Sequence, residues 1–193
     1  MKNPLLKKKL DNYWYYYKLH TFVAIFILFA IVITITTRDT SIKYGLNFTA
    51  INYNIQSDRL DKFQKKISAN VNMMQMGKNA DPTMQMANTT KFIAEIQVGE
   101  IDVVVCDKET FKGYEKQGAF MKLDDLIKNG KLTKTDQVEI TTDNGSKNIA
   151  GMDVKSSKIL KDEGLDLSNM VIGIAASSKH VESAIKCINQ LLK

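Results

Sequence analysis

Gly99-Glu100-Ile101-Asp102-Val103-Val104-Val105-Cys106-Asp107 decides the fold. Ile101 to Cys106 is a short apolar run rich in β-branched residues, the kind of strand that is buried on both faces of a partly parallel sheet. Gly99 before it suits a helix C-terminus, and Asp107 after it suits a helix N-cap. A strand bracketed by two helices is the repeating unit of an α/β fold. Working back toward the amino terminus, Asp81-Pro82 starts the preceding helix, with a cap oxygen from Asp81 and a ring that fits the first helical turn. Its inward face is expected at Met86, Thr90, Ile93 and Ile96 or Gln97. Val71 to Met76 reads as a strand. Asp58 is expected to cap a helix that buries Leu60, Phe63 and Ile67. Ser41 to Gln56 alternates as a strand through Ile42, Tyr44, Leu46 and Phe48, then Ile51, Tyr53 and Ile55.

Working forward, Asp107 caps a helix through Glu115 with Phe111 and Tyr114 inward. Phe120 to Ile127 turns into a short helix closed by Gly130. Gln137 to Thr142 and Lys147 to Val154 flank Asp143-Asn144-Gly145-Ser146 as a hairpin. Lys155 to Gly164 reads as a loop or one weak helix, Met170 to Ala176 as an apolar strand, and Val181, Ala184, Ile185, Ile188 and Leu192 as the inner face of a terminal helix. The expectation is one small three-layer α/β domain with a mixed, partly parallel sheet, carrying antiparallel additions at one edge.

Ahead of this domain lies Phe22 to Ile33, FVAIFILFAIVI, twelve residues without a polar side chain. The uncharged stretch from Leu19 to Thr37 holds only His20 as an ionisable group, and as a helix it spans about 28 Å, against roughly 30 Å of bilayer hydrocarbon. A single transmembrane helix over 19–37 follows. Lys2, Lys7, Lys8, Lys9 and Lys18 precede it, which keeps residues 1–18 cytoplasmic and sends residues 38–193 outside. Tyr13 to Tyr17 place aromatic rings at the inner interface. No Ala or Gly lies between Ile31 and Lys43, so no small-residue cleavage site follows the apolar run. The segment is expected to stay as an anchor in the cell membrane.

The formal net charge is +6. Residues 1–39 hold six basic and two acidic groups, and the remainder 21 basic and 19 acidic. The basic surplus therefore belongs mostly to the cytoplasmic flank, where it suits anionic lipid, and no nucleic-acid partner is expected. Residues 40–193, 154 in number, suffice for one domain with its own core. Cys106 and Cys187 allow either one disulfide or two separate buried thiols. The richness in Lys, Asn and Ile, with two Pro, hints at an AT-rich genome and, with an uncleaved anchor, a Gram-positive bacterium.

Glu95-Ile96-Gln97-Val98-Gly99-Glu100-Ile101-Asp102-Val103-Val104-Val105, continuing to Phe111, resembles the A-x-G-x-x-D-V helix-to-strand passage of extracytoplasmic type 2 solute-binding proteins. Gln117 to Asp125 resembles the G-x-x-x-x-L-D step that follows it there. Val171-Ile172-Gly173-Ile174 with Ser178 to Ala184 is similar to the closing strand and N-x-E-x-A helix. The resemblance covers about a third of the chain, in the family's order. It implies an α/β lobe of the kind that serves transport across the membrane by binding a solute between two lobes. A chain of this length supplies one of the two.

Open α/β sheets bind ligands at the carboxyl ends of their strands. The residues expected there are Asp81, Thr83, Asp107, Lys108, Glu109, Ser177 and Ser178. The helix N-termini among them would suit an anion, while ordinary capping accounts for the same residue types. Met73, Met74, Met76, Met84 and Met86 form two M-x-M-like groups that would suit either Cu(I) or an irregular core. Cys106 and His180 both lie near expected strand ends but lack a third, orienting group. No phosphate loop, H-E-x-x-H or G-x-S-x-G occurs. The chain is expected to bind a small ligand or a membrane-surface protein, without a cofactor or metal and without catalysis. The alternative is an accessory subunit of a transporter or sensor.

Overall fold

The computed structural model describes residues 13–15, 17–23, 25–29, 44–77, 81–133, 137–141 and 147–193. The chain divides into two compact units, residues 1–42 and residues 43–193.

In the first unit the described residues from Tyr13 to Phe29 are helical. Their apolar side chains stand exposed: Leu19, Phe22, Val23 and Ile25 through Phe29 are each more than half accessible. Among the described residues no helix is long and apolar enough to cross a membrane. Residues 30–37 of the expected span lie outside the described residues.

The second unit is an α/β domain. Its strands are β1 (Asn47–Ile51), β2 (Asn70–Met74), β3 (Val103–Asp107), β4 (Gln137–Thr141), β5 (Lys147–Asp153) and β6 (Met170–Ile174). Its helices are α1 (Ser57–Ile67), α2 (Pro82–Val98), α3 (Lys108–Glu115), α4 (Asp124–Lys128), α5 (Lys158–Asp162) and α6 (Val181–Leu191). The strands form one mixed sheet in the order β2-β1-β3-β6-β5-β4. β1 runs parallel to β2 and to β3. β6, β5 and β4 each pair antiparallel with their neighbours, so the hairpin lies at one edge, as the sequence suggests. The hairpin's turn, 142–146, lies outside the described residues.

Strand order determines where the helices go. The chain steps from β1 outward to β2, then back past β1 to β3. Crossovers of one hand therefore put α1 and α2 on opposite faces. Phe63 and Ile67 of α1 pack with Phe48, Val103, Val105, Ile172 and Ile188 of α6 in one core. Phe92 and Ile96 of α2 pack with Ile51, Val104, Cys106, Phe111 and Val171 in the other. Alternation along β3, with Val103 and Val105 on one side and Val104 and Cys106 on the other, explains why this strand reads as an unbroken apolar run. Among the described residues every buried core residue lies between Leu46 and Leu192, so the second unit carries a core of its own.

Two glycines admit α3. Gly151 of β5 and Gly173 of β6 stand opposite each other in register. A Cβ on either would approach the Phe111 ring to between 2.6 and 2.9 Å. The tip of the Phe111 ring therefore rests against bare backbone, and the ring stacks with Phe120 at 4.1 Å.

Three expectations need correction. β1 is shorter than Ser41–Gln56, because Asn52 takes a left-handed φ of 63° that ends the strand; Ser41 to Lys43 lie outside the described residues. The N-cap of α1 is Gln56, and Asp58 sits in the first turn, where its charge meets the positive end of the helix dipole. α2 buries Phe92 and Ile96, whereas Met86 is 74% exposed and Ile93 38%. Its inward stripe begins with the amides of Gln85 and Asn88, which hydrogen-bond the backbone leaving β2, so the expected face holds at Ile96 but not at Met86, Thr90 and Ile93. Of the two readings of Lys155–Gly164, the structure bears out the helix, α5, capped by the buried Ser157 hydroxyl.

Candidate functional site

The strands β1 and β3 are neighbours, yet their following helices α1 and α3 leave to opposite faces. Such a reversal opens a crevice at the carboxyl ends of the strands. A cleft of about 750 Å³ lies there. Asn52 from the end of β1, Asp107 from the end of β3, Gln85 and Thr89 of α2, and Thr110 and Tyr114 of α3 line it, with Glu109, Gln117 and Asn169 at its rim.

Each wall is held by local chemistry. Asn52 in its left-handed turn accepts the Met76 N–H on Oδ1 at 2.7 Å. Gln85 Nε2 donates to the Met76 carbonyl at 3.1 Å, and Asn88 Nδ2 to the Gln75 carbonyl at 2.9 Å, which moors α2 to the exit of β2. Asp107 caps α3, accepting the Thr110 N–H at 2.9 Å and the Thr110 hydroxyl at 2.7 Å. The Lys108 N–H donates to the Asn169 carbonyl, tying α3 to the loop that enters β6.

Lys108 itself points away from the cleft. Its Nζ lies 2.9 Å from Asp153 Oδ2, with Lys155 at 3.5 Å. Burial opposes the ionisation of Asp153, but the Lys108 hydrogen bond, the Lys155 N–H and the two ammonium charges outweigh it and hold the carboxyl below its usual range. Nearby, burial first and then the charges of Asp107, Cys106 and Asp166 push the Tyr53 phenol up to about 12, so it stays a neutral donor. Among the described residues lining the cleft there is no Lys or Arg.

Of the residues expected at the site, Asp107 and Glu109 line the cleft. Asp81 caps α2 by accepting the N–H groups of Thr83 and Met84, and both Asp81 and Thr83 are exposed outside the lining. Ser177 and Ser178 lie at the opposite edge of the sheet. Because β6 is antiparallel to β3, with Ile174 opposite Val103, the loop after β6 meets the beginning of β3 rather than its end. There the Ser178 hydroxyl donates to Asp102 Oδ1 at 2.6 Å, and the Ser177 hydroxyl donates to the Ile96 carbonyl.

Asp102 is fully buried and serves a network. Its Oδ2 accepts the Asn47 N–H at 2.9 Å, and His180 Nδ1 lies 3.2 Å from Oδ1. The Ser178 hydroxyl bonds the carboxylate and not the imidazole, so the three residues join β1, β3 and α6 rather than form a relay. His180 sits at this edge, and Cys106 at the far end of β3, so the two do not pair. Burial first, and then Asp107, pushes the Cys106 thiol well up; burial alone pushes Cys187 up to about 12. The two thiols are free and belong to cores on opposite faces of the sheet. The methionines are equally dispersed: Met74 and Met76 are buried, Met84 and Met86 exposed.

The cleft residues that a sequence reading passes over are Asn52, Gln85, Thr89, Thr110, Tyr114, Gln117 and Asn169. A helical signal for some of them exists, since Gln85, Thr89 and Ile93 recur every four residues, as do Thr110, Tyr114 and Gln117 at three to four. Against this geometry, comparison of the chain with known proteins returns no matching family model, no matching curated protein and no matching solved structure.

Proposed function

We propose that this chain is a membrane-tethered binding module: residues 19–37 cross the membrane, residues 1–18 stay in the cytoplasm, and the α/β domain presents its cleft outside. In this reading it resembles one lobe of an extracytoplasmic type 2 solute-binding protein, and it captures a small ligand without making or breaking bonds. The observation that carries the reading is the cleft at the carboxyl edge, where β1 and β3 send their helices to opposite faces and amides, hydroxyls and carboxylates converge. The exposure of the apolar side chains from Phe22 to Phe29 supports the tether, since water is a poor solvent for such a surface.

A second reading is an accessory subunit that docks on a transporter or sensor. Met84, Met86 and Val98 favour it, because they leave apolar surface on α2 at 56, 74 and 55% exposure.

The test is the melting of residues 43–193, the unit with a core of its own, against sugars, amino acids, peptides, amines and anions. A ligand at a hundredfold excess over its Kd adds about 2.7 kcal/mol, which moves the midpoint by several degrees. A shift from any one class supports ligand capture. A cooperative melt indifferent to all of them favours the accessory subunit. Protease applied to intact cells should remove the domain, and a domain cut only after lysis would overturn the topology.

A further inference from the structure

The cleft does not end at the carboxyl edge. A second cavity of about 240 Å³ shares Ile93, Tyr114 and Gln117 with it and continues between α2 and α3 toward the opposite edge. From Gln85 to Gln97 along α2 the combined groove runs roughly 18 Å. Its two ends differ in chemistry. The carboxyl end offers Asn52, Thr110, Asn169 and the carboxylates of Asp107 and Glu109. The far end is walled by Phe92, Ile96, Ala119 and Ala176, with Gln97 and the expected site residue Ser177 also lining it.

We propose that the two cavities are one elongated site for an amphiphile, with a hydrogen-bonding head that is uncharged or cationic at the carboxyl edge and an apolar tail between α2 and α3. The proposal rests on the ligand-capture reading above and names the chemical class of its ligand.

The carboxylates of Asp107 and Glu109 disfavour the anion that helix N-termini alone would suggest. The N-terminus of α3 is already capped by Asp107, and Lys108 is engaged by Asp153. Among the described residues of the lining an anionic head would meet two carboxylates and no base, whereas an ammonium or a polyol meets acceptors suited to it. Both walls are fixed by contacts within the chain. α2 is held at one end by Gln85 on the Met76 carbonyl and at the other by Lys179 Nζ on the Val98 carbonyl at 2.8 Å. α3 is held by Phe111 on Gly151 and Gly173. Preformed apolar walls let each buried methylene add directly to affinity.

The experiment uses the full chain in nanodiscs of phosphatidylcholine, titrated calorimetrically with methyl, butyl and hexyl β-glucoside, hexylammonium and hexanoate. Ala176→Phe, at an exposed position on the wall of the far end, is titrated in the same nanodiscs, so that partition into the bilayer cancels. The proposal expects affinity to rise about three- to fourfold per methylene from methyl to hexyl glucoside. It expects that gain to vanish in Ala176→Phe while the methyl glycoside binds as before, and hexanoate to bind at least tenfold more weakly than hexylammonium. Ile93→Asn, at a residue common to both cavities, serves if Ala176→Phe melts early. Equal affinity for methyl and hexyl glucoside, or hexanoate preferred over hexylammonium, would overturn the amphiphile and leave ligand capture standing. No binding by any probe would also overturn it, and the melting panel then decides whether ligand capture falls too.

Discussion

The two edges of the sheet are built from the same residue types and do opposite things with them. At the amino edge Asp102, Ser178, His180, Asn47 and Asn70 bond one another: Asn70 Nδ2 reaches both Asn47 Oδ1 at 2.9 Å and the Tyr44 carbonyl at 2.7 Å, and Asp102 collects three partners. At the carboxyl edge Asn52, Gln85 and Asp107 bond backbone and leave a cleft open among them. Polarity alone does not mark a site. A polar cluster whose partners all lie within the chain is a joint, and one whose groups border free volume is where a ligand can be held.

The comparison can be broken most forcefully at Asp102. Asp102→Ala leaves the partly buried Asn47 N–H and Ser178 hydroxyl without that acceptor. It should lower stability by about 3–5 kcal/mol in denaturant titration, the usual cost of removing one partner from a buried charged network. A variant as stable as the wild type would show that the amino edge is not a joint. Next comes Gly173→Ala, whose methyl would meet Phe111 at 2.6 Å and should cost about 1–3 kcal/mol, read as a lowered melting midpoint.

Asp153→Asn tests the charged flank of the cleft. The folded carboxyl titrates below its usual range, so its contribution is present above the ordinary carboxylate value and is lost as pH falls through the folded one. A deficit of about 1.5–3 kcal/mol at neutral pH should therefore close on acidification. Glu115 behaves inversely. Burial raises its titration above the ordinary value despite the Phe120 N–H and Lys122, and its Oε2 lacks a partner. Its stability contribution is complete below the ordinary carboxylate value and is lost as pH rises through the raised one. Glu115→Gln should accordingly stabilise the domain by on the order of 0.5–1 kcal/mol at neutral pH and by nothing in acid.

The smallest effect on stability sharpens the contrast. Glu109→Gln, at an exposed cleft position, should leave the melting midpoint within about 0.5 kcal/mol of wild type while weakening any cationic ligand. A large loss of stability there would mean that the carboxyl edge is a joint as well.

How much of this was legible follows from distance along the chain. The Asp81 and Asp107 caps, the Gly99 helix end and the apolar β3 depend on neighbours within four residues, and periodicity and capping chemistry reveal them. The α/β class and the hairpin at the edge follow from the order of such elements. The inward face of α2 was legible at Ile96 but misread at Met86, Thr90 and Ile93, because its first anchors are amides bonded to the exit of β2. The site was half legible: Asp107 and Glu109 are where strand-end reasoning puts them. Ser177 and Ser178 are at the other edge because nothing local in Met170 to Ile174 records that β6 runs antiparallel to β3.

The amino-acid sequence by itself determined the caps, the strands, the apolar stretch before the domain and the division of charge, because these rest on residues that touch along the chain. Only the tertiary structure decided the direction of β6, the joining of Asp102 to Asn47 and Ser178, and the meeting of α2 and α3 around a groove. The first two depend on pairings across 50 to 80 residues and the third on contacts across about 20, such as Phe92 with Tyr114, where many registers satisfy the same local pattern and packing of the two cores selects one.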